Sequence, residues 1–234
     1  MSPIITLLTD FGTADGYVAE MKGVLLTLAT GATVVDVSHE IGPQDVECGR
    51  LALARYWRRF PPGSVHVAVV DPGVGSARAA LAVESDGRYL VGPDNGLLSP
   101  ALLFRGARAV ALPTSPTASP TFHGRDVFAP AAAALATGAP LATLGVPHDS
   151  AIVRRTPEPR RLADGGIEGE VITIDRFGNA VTNCLGLRGG SIEVGGASLP
   201  LRRTYADTPS GAATALVGSS GLIEIAVRDG NAAR

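Results

Sequence analysis

A chain of 234 residues, 45% hydrophobic and 18% charged, is long enough for one large domain or two modest ones, and either buries most of the surface its unfolded form exposes. Its 20 basic and 22 acidic residues leave a formal charge of −2, spread without a basic stripe or polybasic block, which argues against nucleic acid and anionic membranes as partners. Cys48 and Cys184 lie far apart with no CxxC or Cys/His ligand spacing, so neither a structural zinc nor a disulfide framework is indicated and a reducing cytoplasm fits best.

The start, MSPIITLLTD, has no positive charge ahead of its apolar run and meets Asp10, which reads as a first strand over Ile4 to Thr9 rather than a signal peptide. The turn FGTADG follows, then a helical period from Tyr17 to Ala29 with Val18, Met21, Leu25 and Leu28 on one face. Thr33 to Ser38 repeats the strand signal, Asp45 to Phe60 reads as a helix, and Val65 to Val70 as a third buried strand. This alternation predicts a largely parallel sheet with covering helices. AALAVESDGRYLVGPDNG then reads as two strands joined at Ser85-Asp86-Gly87, and a helix is expected over Asp126 to Thr137. The uncharged stretch from Val127 to Pro147 approaches membrane-spanning length, but its alanines, prolines and glycines predict a small-residue helix in a soluble core.

RRTPEPRRLADGG, residues 154–166, punctuated by prolines, arginines and a glycine pair, reads as an interdomain linker. Beyond it, short β-branched runs and turn glycines predict a small antiparallel β-barrel. The expected architecture is therefore α/β: an N-terminal α/β sheet domain over 1–155 and a smaller C-terminal antiparallel β-barrel over 167–234.

In open α/β sheets ligands bind beyond the carboxyl ends of the strands. Asp10 follows the first strand and Asp71 the third, while Asp36 lies within the second. A carboxylate in the position of Asp10 can accept both hydroxyls of a ribose, whereas TDFGTADG is neither GxGxxG nor GxxxxGK[ST]. The first loop thus suits a nucleoside better than a nucleotide, unless Asp10 and Asp15 only shape the turn and cap the helix. In DPGVGSAR, Pro72 and Gly73 turn the chain and Gly75 lets backbone approach a ligand, so Arg78 can fold back on Asp71. His123, just before a predicted helix, is the side chain type most easily tuned to exchange a proton near neutrality. Asn179 in DRFGN carries a donor and an acceptor that suit the edge of an adenine ring, and GSSG sets two hydroxyls at a strand entrance. Each of these readings has a structural alternative that spacing alone does not remove.

Taken in order, TDFGTADGYVAEMKG, DVSHEI, DPGVG with Arg78, PDNGLL, TFHGRDVFAP, DRFGNAVTN and GSSGLIEIAV resemble the S-adenosyl-L-methionine (SAM) hydroxide adenosyltransferases, hydrolase relatives of the fluorinases and chlorinases. The resemblance runs from Ile4 to about Ala233. It implies a homotrimer whose substrate lies between one subunit's N-terminal domain and a neighbour's C-terminal domain. It further implies that Asp10 grips the ribose, Asp15 and Tyr17 lie near the methionine portion, Asn179 binds adenine, and Ser219, Glu224 and Val227, with Ser220 beside them, contact the adenosine or the amino-acid end. Asp71, Arg78 and His123 match the family's Asp, Arg and His around a nucleophilic water. Halogenating relatives have a tyrosine in place of Asp71 and a small hydroxyl residue in place of Gly124.

The expected reaction is attack of water or hydroxide at ribose C5′, releasing adenosine and L-methionine, with Asp71 and His123 helping to remove the water proton. Neither a metal nor any other cofactor is expected, because His39, His66, His123 and His148 show no ligand spacing. His39, in DVSHEI, also matches the family pattern and is read as structural. The competing readings are a halide-dependent, chlorinase-like adenosyltransferase and an adenosine-binding module without turnover.

Overall fold

The computed structural model describes residues 2–186 and 189–234. Two compact units divide the chain, one ending at Arg154 and the other running Arg155–Arg234. The first contains β1 (Ile4–Thr9), α1 (Tyr17–Leu28), β2 (Thr33–Ser38), α2 (Val46–Tyr56), β3 (Val65–Val69), β4 (Ala80–Ser85), β5 (Arg88–Pro93), α3 (Ser99–Leu102), β6 (Arg108–Leu112), α4 (Ala129–Ala136) and β7 (Val146–Pro147). Its seven strands form one sheet in the order β2-β1-β3-β5-β4-β6-β7.

Side-chain alternation sorts this sheet's core into two layers. Ile5, Leu7, Val65, Val67 and Val69 pack with α1 and α4 on one face, while Leu8, Ala68 and Val70 pack with α2 and α3 on the other. Coverage on both faces explains the near-continuous apolar runs of β1 and β3. The sheet is parallel only through β2, β1, β3 and β5, and β4, β6 and β7 run antiparallel. The switch follows from the β4–β5 turn, where Asp86 and Gly87 both have positive φ (48° and 70°). Two such residues close a tight hairpin, which permits only antiparallel strands.

Two further expectations are corrected in this unit. Leu28, placed on the apolar face of α1, is 53% exposed, because the buried stripe of Val18, Met21 and Leu25 passes directly to Ala29. The helix expected from Asp126 is entered earlier, by a π-helical turn over Gly124–Phe128 with His123 at its N-cap, before α4 begins. Among the described residues no helix is long and apolar enough to cross a membrane, and the uncharged stretch contributes the eight-residue α4 to the core.

In the second unit, β8 (Arg160–Arg161) pairs with β9 (Ile167–Glu168) across the Leu162–Gly166 turn, so the latter half of the expected linker forms a small hairpin. A curled six-stranded sheet follows, ordered β10 (Val171–Ile174), β11 (Ala180–Leu185), β15 (Leu222–Val227), β14 (Ala213–Val217), β13 (Ala197–Arg202) and β12 (Ser191–Val194). Its pairs are antiparallel except β13 with β14, which run parallel. Ala180, Leu199, Ala215 and Ile225 form its core.

Candidate active site

Adjacent parallel strands deliver the first acids to one edge of the sheet. β1 and β3 are in register with Thr9 opposite Val69, so Asp10 and the Val70-Asp71 pair leave the sheet at the same end. Asp71 and Arg78 then form a two-pronged ion pair: Arg78 Nε donates to Asp71 Oδ1 at 2.9 Å, and Arg78 Nη2 donates to Asp71 Oδ2. The side chains are only 10% (Arg78) and 5% (Asp71) exposed, so solvent screens the pair weakly.

His123 completes the group. Its Nδ1 lies 2.9 Å from Arg78 Nη2, and the Arg78 guanidinium sits 5.4 Å above the Phe128 ring of the π-turn. Arginine only donates, so Nδ1 is the acceptor and the ring proton sits on Nε2. The His123 pKa is lowered, first by burial and then by the Arg78 charge; Asp71 and Asp126 act in the opposite sense without prevailing. The imidazole is accordingly held neutral, with an N–H available on the nitrogen facing away from Arg78.

Backbone detail explains how residues 45 positions apart meet. Gly75 has φ of +76°, and a Cβ there would collide with the Pro120 carbonyl. The space a side chain would need at this glycine is therefore taken by the segment leading into His123. On the other side, Asn95 of PDNG donates from Nδ2 to the Val70 carbonyl at 2.8 Å and accepts from Leu97 N–H. Asp94 N–H donates to the Ala79 carbonyl. One loop thus braces the residues preceding Asp71 and following Arg78.

Around His123, Phe11, Tyr17 and Phe122 pack edge-to-face, with Tyr17 and Phe122 centroids 5.3 Å apart. Tyr17 nevertheless remains 49% exposed, and Asp15 is exposed. Arg125 secures the π-turn, pairing with Asp126 and reaching Glu20 of α1 at 2.7 Å. Asp10 Oδ2 accepts the Gln44 N–H at 2.8 Å, and the carboxylate stays half-buried.

The second unit holds a separate polar chain. Asn179 is 6% exposed and donates from Nδ2 to Asp175 Oδ2 at 3.0 Å and to the Tyr205 hydroxyl at 3.3 Å. Tyr205 in turn donates to Glu224 Oε2 at 3.2 Å. Burial first, then Glu224, raises the Tyr205 pKa, so the hydroxyl stays protonated. Both Asn179 amide protons are committed, which leaves Oδ1 to meet a ligand donor. A Cβ at position 218 would collide with Glu224 Oε1; glycine there makes room for the carboxylate beside exposed Ser219. Val227 stands three residues from Glu224 on the regular strand β15 and so points to the opposite face. Its carbonyl accepts the Gly230 N–H, and the structure does not bring its side chain to the Asn179 network.

Gln44, Asn95 and Tyr205 were not among the sequence candidates. PDNG signalled a turn, but nothing local marks Tyr205, which lies 26 residues from Asn179. Among the described residues no cluster of three or more His, Cys, Asp and Glu side chains could hold a metal ion.

The family models for the SAM hydroxide adenosyltransferase N-terminal and C-terminal domains match residues 5–145 and 169–234. A protein of Thermus thermophilus named (R)-S-adenosyl-L-methionine hydrolase is 46% identical, the match covering 99% of this chain and 94% of that protein. A fluorinase of Actinoplanes is 32% identical over 78% of this chain and 72% of its own length. The crystal structure of an uncharacterized conserved protein from Thermotoga maritima superposes with a TM-score of 0.88 at 32% identity, covering 97% of this chain and 94% of that one. Matched by both domain models and by a near full-length relative, the chain belongs to the SAM hydroxide adenosyltransferase family.

Proposed function

We propose that the protein hydrolyses (R)-S-adenosyl-L-methionine to adenosine and L-methionine. The observation that carries this reading is the buried Asp71–Arg78–His123 group, a carboxylate, a cation and a neutral imidazole joined in one cluster. The reaction forms an O–C5′ bond and breaks the C5′–S bond. The bonding pair goes to sulfur, which leaves as the neutral thioether of methionine, and the water gives up one proton.

A hydroxide-like oxygen attacking a sulfonium destroys charge as the transition state forms, so a site that excludes bulk water favours the step. His123, with its proton on Nε2, donates to the water oxygen and orients it in line with the C–S bond. Asp71 keeps a lone pair on each oxygen and is the acceptor for the departing proton. Arg78 positions Asp71 and His123 and offsets the negative charge developing on the attacking oxygen. This division of labour differs from one in which the histidine is the base, because Nδ1 is occupied by Arg78.

Asp10 takes the ribose hydroxyls, Asp15 and Tyr17 the methionine portion, Asn179 the adenine edge, and Ser219 and Glu224 the remaining contacts. The family resemblance is the ground for proposing a homotrimer in which the two half-sites are supplied by neighbouring subunits. Halide-dependent transfer is disfavoured by the residues themselves: Asp71 and Gly124 stand where the resemblance puts a tyrosine and a small hydroxyl residue in halogenating relatives.

Incubation with (R)-S-adenosyl-L-methionine in ¹⁸O-water, with and without chloride, tests the proposal. Adenosine labelled at its 5′ oxygen, formed equally in both, is the expected product. A 5′-chlorinated nucleoside would establish the halide reading, and unreacted substrate the binding-module reading.

A further inference from the structure

The loop between β1 and α1 carries Asp10 and Asp15 and leads into Tyr17, and contacts on either side of it converge on Asp36 of β2 and on His39 just beyond that strand. At its start, the buried Thr9 hydroxyl accepts the Phe11 N–H at 3.2 Å and lies 2.8 Å from His39 Nδ1. The Gly12 N–H donates to the His39 carbonyl at 2.8 Å. Beyond the loop, Lys22 of α1 contacts Asp36 of β2 at 2.6 Å. Asp36 Oδ1 is in turn 3.1 Å from His39 Nε2, a close contact of the carboxylate with the ring edge whose angle falls outside that of a hydrogen bond.

These contacts select one arrangement of protons. With a carboxylate facing Nε2, the ring proton belongs there, and Nδ1 accepts the proton of the Thr9 hydroxyl. That hydroxyl then has its hydrogen committed to His39 and a lone pair committed to Phe11. Asp10 sits between the two residues so joined. Its own carboxylate is held by Gln44 N–H, on the loop that continues from His39. The imidazole is 5% exposed and links the segment that carries Asp10 to the segment that grips it.

We propose that His39, braced by Asp36, is a positioning residue that aims the Asp10 carboxylate at the diol of a bound ribose. The inference rests on Asp10 being the ribose ligand, so its test includes that residue. Affinities of the full-length protein for adenosine and for 2′,3′-dideoxyadenosine are measured by calorimetry in the wild type and in four variants. Asp10→Ala should abolish the preference for adenosine. His39→Ala and Thr9→Val should each reduce that preference roughly tenfold, the lower range for a hydrogen bond to a charged group, while leaving dideoxyadenosine affinity nearly unchanged. His39→Asn, whose Oδ1 replaces Nδ1 as acceptor for Thr9, should restore most of it. Thr9→Val preserves side-chain shape and carries the test if His39→Ala does not fold. A parallel fall in both affinities in His39→Ala and Thr9→Val, or failure of His39→Asn to rescue, would make His39 merely structural and overturn the inference. Retention of the preference in Asp10→Ala would overturn the ribose assignment itself, and this inference with it.

Discussion

Replacing Arg78 by methionine removes the cation from a carboxylate that is 5% exposed. The lost contacts are two donations to Asp71, one to His123 and a longer one to the Ala79 carbonyl. Leaving such a charge buried without its partner costs about 3–5 kcal/mol. Asp71→Asn keeps an acceptor for the guanidinium and should cost about 2 kcal/mol. The double variant has no orphaned charge, so it should be more stable than Arg78→Met alone rather than less stable by the sum. Trp57 is the sole tryptophan of the chain, 2% exposed and within the first unit, so its fluorescence in a urea titration reports on the unit concerned. Turnover should fall to a similar residual level in both single variants and the double, because the three groups act together. With the Arg78 charge gone, the His123 ring signals in NMR should titrate at higher pH than in the wild type, opposite to the lowering that burial and Arg78 impose. Strictly additive stability losses, or an unmoved His123 titration, would refute the coupling of Asp71, Arg78 and His123.

Acid should weaken the first unit through His66, which is fully buried on β3 with its pKa pushed down to about 4, first by burial and then by Arg88. The unfolded chain binds this proton near pH 6.5, so stability falls as pH drops from there to about 4, by roughly 3 kcal/mol; urea midpoints of wild type and His66→Gln across that window check it, the variant showing the flatter dependence. Gly218→Ala should displace the Glu224 carboxylate and cost about 1–3 kcal/mol as an overpacked site. Adenosine affinity should weaken alongside, as calorimetry would show.

Strands that are buried on both faces announce themselves, which is why β1 and β3, and with them the placement of Asp10 and Asp71 at strand ends, could be read from residue order. The Asp71–Arg78 pair was similarly visible, since a proline-glycine turn and a seven-residue separation leave few other outcomes. His123 was a different matter: its partner lies 45 residues away, and only the ordered set of motifs suggested the meeting. Gly75 was singled out for its freedom of backbone, but the close approach of Pro120 to it depends on tertiary packing and has no local mark. Tyr205 and Gln44 act through contacts set by strand register and loop crossing, for which local composition carries no mark. Leu28 failed for a related reason: a helical wheel defines a stripe but not where the covering layer stops.

The π-helical turn over Gly124–Phe128 gives the proposed reaction centre an arithmetic vulnerability. Each residue of an α-helix advances the chain by about 100°, so deleting one position within this wide turn would let α4 remain intact while everything before it swings round its axis. The imidazole would then face a different neighbour although no chemical group had been altered. On the proposed mechanism, turnover in this scaffold should depend on chain length at one turn as much as on side-chain identity.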